Sequence, residues 1–523
     1  MDTNRSTSQD KWITVLALLC LALVMTVTNR WFTFMDDEIA ILQEATNPVQ
    51  QTIHAFASGV GQHRHPPLYD LALAVWMRIT GSRIALLRIP ATVFYLLGLW
   101  FVIQAADLIG GRSAARAALW IGLAFPYGFH FGRIAGWYSL SFCTLAMITW
   151  AYLRILKRPD WRGCLLLILA CELGLYTNYF LLALVGLLAF DYWLANRKAT
   201  TAHLVAAGGI FVVILLGFYP IVRAFLLRLY ASAGVMHPAY SLLATLFFGG
   251  YNVYTLFVSE SVAPWFWYFS VPTIVAIAFC SYCVLRYAPD EARRIFIGFV
   301  IAALAMTAVN LINTKVALFL APWLLIPVAV MLASLPRPAL RSSAIVALGV
   351  IGVIGWFGIL SRQYYAAPRL IEPWQPVAER VAAQANSGAV VIGNNPSFFF
   401  YLTSALRSSG AAGTTSFEGT YPVYLKRADL FDTNQWLEAG KVHAPTTLLV
   451  KGAADESFWG STAAVQLVLD ETCHLQSVDR ELPDTGYDLK KRWFASAEQP
   501  AWRIEVRTYQ CPTGNETAAK LHH

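Results

Sequence analysis

Apolar runs long enough to cross a lipid bilayer recur along the first two thirds of this chain, from Trp12 to about Ser361. A membrane-spanning helix needs about 20 mostly apolar residues, because the hydrocarbon core is about 30 Å thick and backbone polar groups inside it must be bonded internally. The composition agrees: 57% of the residues are hydrophobic, 13% are charged and the mean hydropathy is +0.51. The sequence therefore predicts a polytopic α-helical membrane protein with about 11 to 13 transmembrane helices.

Two apolar segments differ from the other runs. Residues 68–80 are too short to span comfortably, so we expect a helix that lies in the outer interface. Residues 241–259 contain Gly249-Gly250 and are interpreted as interfacial or re-entrant. The other runs predict about eleven spans, at residues 12–29, 85–107, 115–132, 137–155, 163–179, 180–196, 202–222, 264–285, 295–312, 316–334 and 342–361.

The positions of the basic residues orient these spans. Cytoplasmic loops of membrane proteins are enriched in Lys and Arg. With the N-terminus inside, every short loop on that side is basic, and the C-terminal part lies outside. This orientation predicts a multi-pass membrane protein whose C-terminal domain lies on the side opposite the cytoplasm. The cytoplasmic basic residues are Arg5, Lys11, Arg112, Arg116, Arg154, Lys157, Arg158, Arg162, Arg197, Lys198, Arg286, Arg293, Arg294, Arg337 and Arg341.

The chain changes character at about residue 366. Residues 366–523 contain 14 Lys and Arg against 17 Asp and Glu, a net charge of −3 within a total of +8, so the basic balance belongs to residues 1–365. Charges scattered between spans follow from topology, and no nucleic acid is expected as a partner. Helical patterns (EPWQPVAERVAAQA, PSFFFYLTSAL) alternate with strand-like ones (GAVVIG, TTLLVKG, AVQLVLDETCHL), which predicts a soluble α/β domain over 366–516. Residues 517–523 are expected to be a disordered tail that ends in purification-tag residues.

Only two of the eight cysteines, Cys473 and Cys511, lie in the polar C-terminal part. A single pair there fits one disulfide in an oxidising compartment. The other six lie within apolar runs, where cysteine is most simply a small buried hydrophobe. No Cys and His cluster has the spacing of a structural zinc site.

The loop at residues 30–84 carries acids at one end and bases at the other. Asp36, Asp37 and Glu38 follow the first span and lead into IAILQEA. A carboxylate at a membrane surface can take the proton of an attacking hydroxyl while its neighbour positions the acceptor or binds a hard divalent cation. The alternative is a purely structural cluster, because acids at a helix N-terminus are stabilised by the helix dipole. No cofactor is expected to be required, and the metal question stays open.

Basic and polar residues on the outer side are the candidates for binding an anion. His63, Arg64 and His65 precede Pro66-Pro67, and a phosphate fits the fixed charge and planar fork of arginine. Contact with lipid headgroups is the alternative for outer arginines. Glu172 lies inside a span, where a carboxylate either serves a site or pairs with an arginine to hold helices together. Further candidates are Arg133, Arg223, Arg228 and Lys315 for phosphate, and Tyr69, Tyr138 and Asn178 for substrate.

The order of these features resembles the GT-C glycosyltransferases, in particular the protein O-mannosyltransferases and lipid A aminoarabinose transferases. The likeness covers roughly residues 10–335. Its pieces are the acidic pair Asp37-Glu38, HPPLYD (65–70), LRIPATVFYLLGLWFVIQAADLIGGRSAARAALW (87–120), AGWYSLSFCTLA (135–146), LYTNYFLLAL (175–184) and APWLLIPVAVMLA (321–333).

The resemblance implies transfer of a sugar from a polyprenyl-phosphate donor to a glycolipid, glycan or protein acceptor of the cell envelope, with inversion at the anomeric carbon. It also implies that the active site and the C-terminal domain lie at the periplasmic face of a bacterial inner membrane. Asp37 would be the general base, Glu38 would support it and His65 would face the donor phosphate. Three positions depart from the family pattern for the phosphate ligands: Gly136 stands where many relatives have Arg, Asn178 where many have His, and Leu318-Phe319 where many have Arg-Tyr.

Two other functions are weighed against this one. A transporter or flippase of polyisoprenoids or glycolipids would explain the spans and Glu172, but not an acidic cluster or an external domain, and no inverted repeat of broken helices is visible. An assembly protein with a partner-binding tail would need far fewer anchoring helices.

Overall fold

The structure is a computed structural model. It describes residues 3–58, 65–81, 83–196, 201–231, 241–259, 262, 264, 266–309, 316–361, 374–410, 414–416, 424–426, 429–439, 444–452, 462–483 and 502–512. The chain divides into two compact units, Met1–Arg30 with Glu44–Ala366, and Trp31–Gln43 with Ala367–His523. The sequence-based division placed residues 31–43 in the membrane domain, whereas the structure groups this acidic segment with the C-terminal domain.

The first unit is built from helices. They are α1 (Thr3–Val27), α2 (Asp36–Thr46, which begins in the second unit), α3 (Val49–Ser58), α4 (Leu68–Thr80), α5 (Ile84–Leu87), α6 (Ile89–Ala124), α7 (Pro126–Phe131), α8 (Trp137–Lys157), α9 (Trp161–Leu175), α10 (Leu181–Ala195), α11 (Thr201–Ala231), α12 (Leu242–Val258), α13 (Trp267–Tyr287), α14 (Asp290–Ala308), α15 (Pro322–Ser334) and α16 (Pro338–Leu360).

Four helical segments in the described part of the chain are long and apolar enough to cross a membrane: Ile84–Ala124, α8, α13 and α16. Shorter apolar helices of 10–17 residues add to these, among them α10, α12 and α15. The prediction of a polytopic helical membrane protein is confirmed. A helix at residues 68–80 is confirmed as α4, and its interfacial location stays a prediction. Residues 242–258 form one continuous helix, so Gly249-Gly250 does not interrupt it.

The long helix α6 overlaps two of the predicted spans, 85–107 and 115–132. Gly111 breaks it with φ of 69° and ψ of −168°, a backbone conformation that glycine adopts without the cost of a Cβ. A Cβ on Gly122 would lie 2.9 Å from Leu99, and these two residues are almost equally far from Gly111 along the chain. The halves therefore run antiparallel as a hairpin, as the separate predicted spans 85–107 and 115–132 require.

Helix α8 is the most buried of the long apolar helices, with 78% of its apolar window inside the protein. Trp323 of α15 donates its indole N–H to Thr149 of α8 over 2.8 Å. On the predicted cytoplasmic side, Asp191 of α10 accepts from the Tyr152 hydroxyl and pairs with Arg294 of α14 at 2.6 Å. These polar links join helices that lipid alone would not drive together, because lipid tails are as apolar as leucine.

The second unit is an α/β fold. Its five-stranded sheet has the order β4-β1-β5-β7-β6, in which β1 runs parallel to β4 and β5, and β7 runs antiparallel to β5 and β6; β2 and β3 form a separate antiparallel pair. The elements are α17 (Trp374–Asn386), β1 (Val390–Gly393), α18 (Pro396–Ser408), β2 (Thr414–Ser416), β3 (Tyr424–Lys426), β4 (Leu430–Asp432), α19 (Thr433–Glu438), β5 (Thr446–Gly452), α20 (Thr462–Thr472), β6 (His474–Pro483) and β7 (Trp502–Gln510).

The strand expectation for AVQLVLDETCHL is wrong, because most of that segment lies in helix α20. Val465 and Leu469, one helical turn apart, are fully buried in a core with Trp436 and Tyr509. Cys473 follows this helix and forms a disulfide with Cys511, which follows β7. The bridge joins the start of β6 to the end of β7.

A buried carboxylate holds cations on this sheet. Glu505 of β7, 1% exposed, accepts from Arg480 at 2.8 Å and from Arg507 at 2.6 Å, and Lys451 lies 4.0 Å away. Burial raises the pKa of the Glu505 carboxyl, but hydrogen bonds from the two guanidinium groups outweigh it, so its pKa lies below the ordinary value.

Candidate active site

The acidic segment, Trp31–Gln43, belongs to the second unit and starts helix α2. Glu38 is fully buried, and its Oε2 accepts the backbone N–H of Met35 at 3.0 Å. This is the structural role that acids near a helix N-terminus commonly take. Asp37 is half-buried. The side chain of Asp36 lies outside the described structure. Of the pair, Asp37 is thus better suited to meet a substrate.

Helix α18 holds the chain just before these acids. The Ser397 hydroxyl donates to the carbonyl of Phe34 at 2.7 Å, and the N–H of Phe34 donates to the Tyr401 hydroxyl at 3.1 Å. The Phe34 ring packs on Phe400, with ring centres 5.1 Å apart. Phe34, Ser397 and Tyr401 are all buried. This backbone clamp therefore fixes the residue that stands three positions before Asp37.

In the first unit, three of the predicted motifs meet at His65. The His65 ring of HPPLYD lies 4.2 Å from Trp137 of AGWYSL, centre to centre, and stacks on Tyr179 of LYTNY at 5.8 Å. The N–H of Leu68 donates to the carbonyl of Tyr176 at 3.2 Å, which fixes the turn on the end of α9. An imidazole held between aromatic rings keeps one orientation and presents its nitrogens in a defined direction.

The other predicted residues of these motifs are buried as well. Tyr69 is fully buried and packs on Phe94, with 6.3 Å between ring centres. Tyr138 packs on Trp137 at 4.5 Å. Asn178, also fully buried, accepts the Phe180 N–H through Oδ1 at 2.9 Å, and its Nδ2 has no hydrogen-bond partner among the described residues. Because a buried amide donor costs free energy when it has no partner, Asn178 is a candidate for donating to a bound ligand.

Asp70, next to Tyr69 in α4, is a buried acid that the sequence reasoning did not single out. Burial raises the pKa of its carboxyl well above the ordinary value, and the charge of Glu44 adds to the effect. A carboxyl with a raised pKa favours the neutral form. Burial therefore disfavours a negative charge on Asp70, next to the region in which the sequence predicts a phosphate.

Two buried arginines lie at the C-terminal end of α1. Arg133 donates from Nη1 to the Met25 carbonyl at 3.0 Å and to the Thr28 hydroxyl at 2.7 Å. Arg88 donates from Nη1 to the Asn29 carbonyl at 3.2 Å. A helix C-terminus attracts cations, so these bonds give both guanidinium groups a structural task. Both nevertheless concentrate positive charge at the predicted outer end of the membrane unit.

Glu172 of α9 faces helix α11. Its carboxylate lies directly against Gly217, where any side chain would collide with it, and the Tyr176 hydroxyl donates to the Gly217 carbonyl at 3.1 Å. Oε1 of Glu172 has no hydrogen-bond partner among the described residues. The structure thus places Glu172 at a close approach of two helices, and its role in substrate binding stays a prediction.

An apolar groove of about 690 Å³ lies between the second half of α6, α15 and α16. It reaches from Arg341 to Trp356, about 22 Å along α16. The Trp356 ring packs on Phe129 at 4.6 Å, and the Arg133 guanidinium lies 4.0 Å from the centre of the Phe129 ring. The groove leads from the predicted cytoplasmic side to Trp356. The rings of Trp356 and Phe129 separate this end from the buried guanidinium group of Arg133. Its lining includes Ala117, Ile121, Leu324, Val328, Leu348, Gly349 and Gly352.

Several predicted residues remain without a described position. His63, Arg64 and Lys315 lie outside the described residues, as does the side chain of Arg228. Arg223 is exposed on α11. No group of three His, Cys, Asp or Glu side chains suited to a metal ion occurs among the residues the structure describes.

Sequence reasoning missed the rings that hold His65 and the positioning contacts of α18. Trp137 lies in the motif AGWYSLSFCTLA and Tyr179 in LYTNYFLLAL, so their membership of these motifs could have identified them. Ser397 and Tyr401 carry no such signal, because their partner Phe34 is more than 360 positions away in the chain.

Comparison with known proteins supports the motif reading. Residues 64–223 match the family described as dolichyl-phosphate-mannose-protein mannosyltransferase. No curated protein sequence matches the chain. The structure resembles that of ArnT from Cupriavidus metallidurans bound to undecaprenyl phosphate, with a TM-score of 0.55 and 13% identity over 94% of this chain and 97% of that one. Apo ArnT gives a TM-score of 0.54 and 13% identity over 96% and 98%.

The family match contains HPPLYD, AGWYSL and LYTNY, the three motifs that meet at His65. The match to ArnT extends over nearly the whole of both chains. Because the two sequences are only 13% identical, it shows that the fold is similar and nothing beyond that. The resemblance inferred from the motifs is confirmed: this chain is a multi-pass membrane protein with the fold of the GT-C glycosyltransferases.

Proposed function

We propose that the protein transfers a sugar from a polyprenyl-phosphate donor to a cell-envelope acceptor at the periplasmic face of a bacterial inner membrane. The observation that carries this proposal is the meeting of three family motifs at His65, whose ring is held by Trp137 and Tyr179. A glycosyltransfer site needs fixed groups next to the leaving phosphate, and an oriented imidazole is one such group.

The apolar groove supports a lipid-linked donor. A polyprenyl chain is apolar along its whole length, and the groove offers an apolar lining that extends about 22 Å along α16. Its end at Trp356 is separated from the buried Arg133 by the Phe129 ring, and the positive charge of Arg133 would attract a phosphate toward that end. ArnT, of the same fold, was solved with undecaprenyl phosphate, which is a ligand of the proposed class.

The proposed reaction is one direct displacement. The acceptor hydroxyl gives its proton to the Asp37 carboxylate, and its oxygen bonds to the anomeric carbon. The bond from that carbon to the phosphate oxygen breaks, its electron pair leaves with the polyprenyl phosphate, and the configuration inverts. Fixed cations stabilise the charge that grows on the phosphate. Glu38 holds the helix that carries Asp37, and no cofactor takes part in these steps. Whether a divalent cation assists is decided by running the same assay with EDTA.

The test compares Asp37→Asn with Asp479→Asn, an exposed acid on β6, in the full chain reconstituted into lipid. The assay follows release of polyprenyl phosphate from a panel of polyprenyl-phosphate sugars in the presence of a cell-envelope glycolipid extract. We expect Asp37→Asn to lower the rate at least 100-fold, in line with loss of a general base worth about 10² to 10⁴. Asp479→Asn should match the wild type. Full transfer by Asp37→Asn refutes the assignment of the base. Movement of the donor from one leaflet to the other without sugar transfer favours the flippase instead.

A further inference from the structure

We propose that the C-terminal domain is a positioning element for the acidic segment, acting through the backbone clamp of Ser397 and Tyr401 on Phe34. The inference rests on the proposed function, because it assigns the clamp the task of holding Asp37 for catalysis. It gives the C-terminal α/β domain a part in the reaction, where anchoring or partner binding would otherwise be its only use.

The clamp binds both backbone polar groups of Phe34, its carbonyl and its N–H. Ser397 donates to the carbonyl of Phe34 and Tyr401 accepts from its N–H, at 2.7 and 3.1 Å. Ser397 and Tyr401 stand one turn apart on α18, so they face the same side of that helix. With carbonyl and amide both bonded and the Phe34 ring packed on Phe400, the backbone of Phe34 can neither rotate nor slide along α18.

The constraint passes from Phe34 to Asp37 through short links. Met35, the next residue, donates its N–H to Glu38 at 3.0 Å and accepts from the Ile39 N–H at 3.0 Å. These bonds form the first turn of α2, in which Asp37 lies. Glu38 is fully buried and cannot shift to another partner at low cost. The backbone position of Asp37 is thus set by α18.

Helix α18 is itself fixed to the sheet. It follows β1 directly, and Asn395 caps it by accepting the Phe398 N–H at 2.9 Å. The preceding residue, Asn394, accepts the Gly452 N–H at the end of β5 over 3.3 Å. Phe398 and Trp374 of α17 pack together, with 6.0 Å between ring centres. A rigid sheet therefore stands behind the clamp, as precise catalytic geometry requires.

The test uses Ser397→Ala, Tyr401→Phe and the double variant in the reconstituted full chain. Two matched controls remove the same groups elsewhere in this domain: Ser408→Ala on the exposed end of α18, and Tyr509→Phe, whose hydroxyl donates to Asp470. Because a misplacement of about 1 Å can cost about 100-fold in rate, we expect kcat to fall about tenfold in each single variant and about 100-fold in the double variant. The donor KM should stay within about twofold, because the variants leave the groups that bind the donor in its ground state unchanged.

Hydrogen exchange gives a second readout that does not depend on transfer. In the clamp variants the amides of residues 34–39 should exchange at least tenfold faster, as expected for local opening, while those of β5 stay protected. If kcat and exchange in the clamp variants equal those of the controls, the positioning role is refuted. If instead exchange speeds up while Asp37→Asn keeps full transfer, the proposed function has failed and the clamp has no catalytic meaning.

Discussion

Filling the apolar groove should weaken the donor in proportion to the length of its lipid. Gly349 and Gly352 line the groove on α16, and a side chain at either position would enter open space. We expect Gly352→Leu to raise KM for a donor with a long polyprenyl chain and to leave kcat unchanged. A donor with a short chain of about three isoprene units, which reaches less of the groove, should respond less.

The size of the effect follows from packing. A prenyl chain that moves from lipid to the groove gains no hydrophobic free energy, because both surroundings are apolar, so its preference comes from close contacts. Each pair of carbon atoms contributes about 0.1 to 0.2 kcal/mol. A leucine that displaces one isoprene unit removes on the order of ten such pairs, or about 1 to 2 kcal/mol, which corresponds to a KM about 5- to 30-fold higher.

The assay is the donor-length series, measured at fixed acceptor concentration with the protein in nanodiscs. Gly209→Leu is the matched control, since Gly209 lies on α11 and a side chain there also meets open space. Leucine favours a helix over glycine by up to about 1 kcal/mol, so neither variant should fold less well. An equal KM change in Gly352→Leu and Gly209→Leu, or one that does not depend on chain length, would refute the groove as the lipid site.

Two further predictions concern single groups in each unit. His65→Phe keeps a ring against Trp137 and Tyr179 but removes the imidazole nitrogens; kcat should fall about 10- to 100-fold while the melting temperature stays close to wild type, and His54→Phe on α3 is the control. An unchanged kcat contradicts the phosphate-facing role of His65. The pKa of Glu505 is lowered in the folded state, so its stabilisation is present above the unfolded pKa of about 4.5 and is lost as the pH falls through the lower folded value. The protection of the β7 amides, which is their exchange rate relative to the intrinsic rate at each pH, should therefore fall more between pH 6 and 3 in the wild type than in Glu505→Gln, and an equal fall would contradict the network.

The membrane part could be predicted from the sequence because two local patterns, the length of apolar runs and the positions of basic residues, determine most of its structure. A run of about 20 apolar residues has few structural options in lipid, and basic residues mark the loops. Even the reversal inside α6 was visible, since Arg112 and Arg116 separate two apolar runs. The helix at 68–80 was visible from its length and the prolines before it.

The errors and omissions have physical reasons as well. The strand expectation for AVQLVLDETCHL failed because a short apolar run with valines fits a strand and a buried helix equally, and the burial of Val465 and Leu469 decides for the helix. The placement of the acidic segment was missed because it depends on hydrogen bonds between residues more than 360 positions apart. Local patterns contain no information about such contacts.

The backbone clamp also has a consequence for biosynthesis. Phe34 is made early, whereas Ser397 and Tyr401 follow 363 and 367 residues later. At about 5 to 20 residues per second, the ribosome needs about 20 to 70 seconds to supply the partners of Phe34. The acidic segment can reach its final conformation only after the helices before residue 366 have been synthesised. A nascent chain that stalls before the last domain would thus carry the helices of the membrane unit while Phe34 still lacks its two partners on α18.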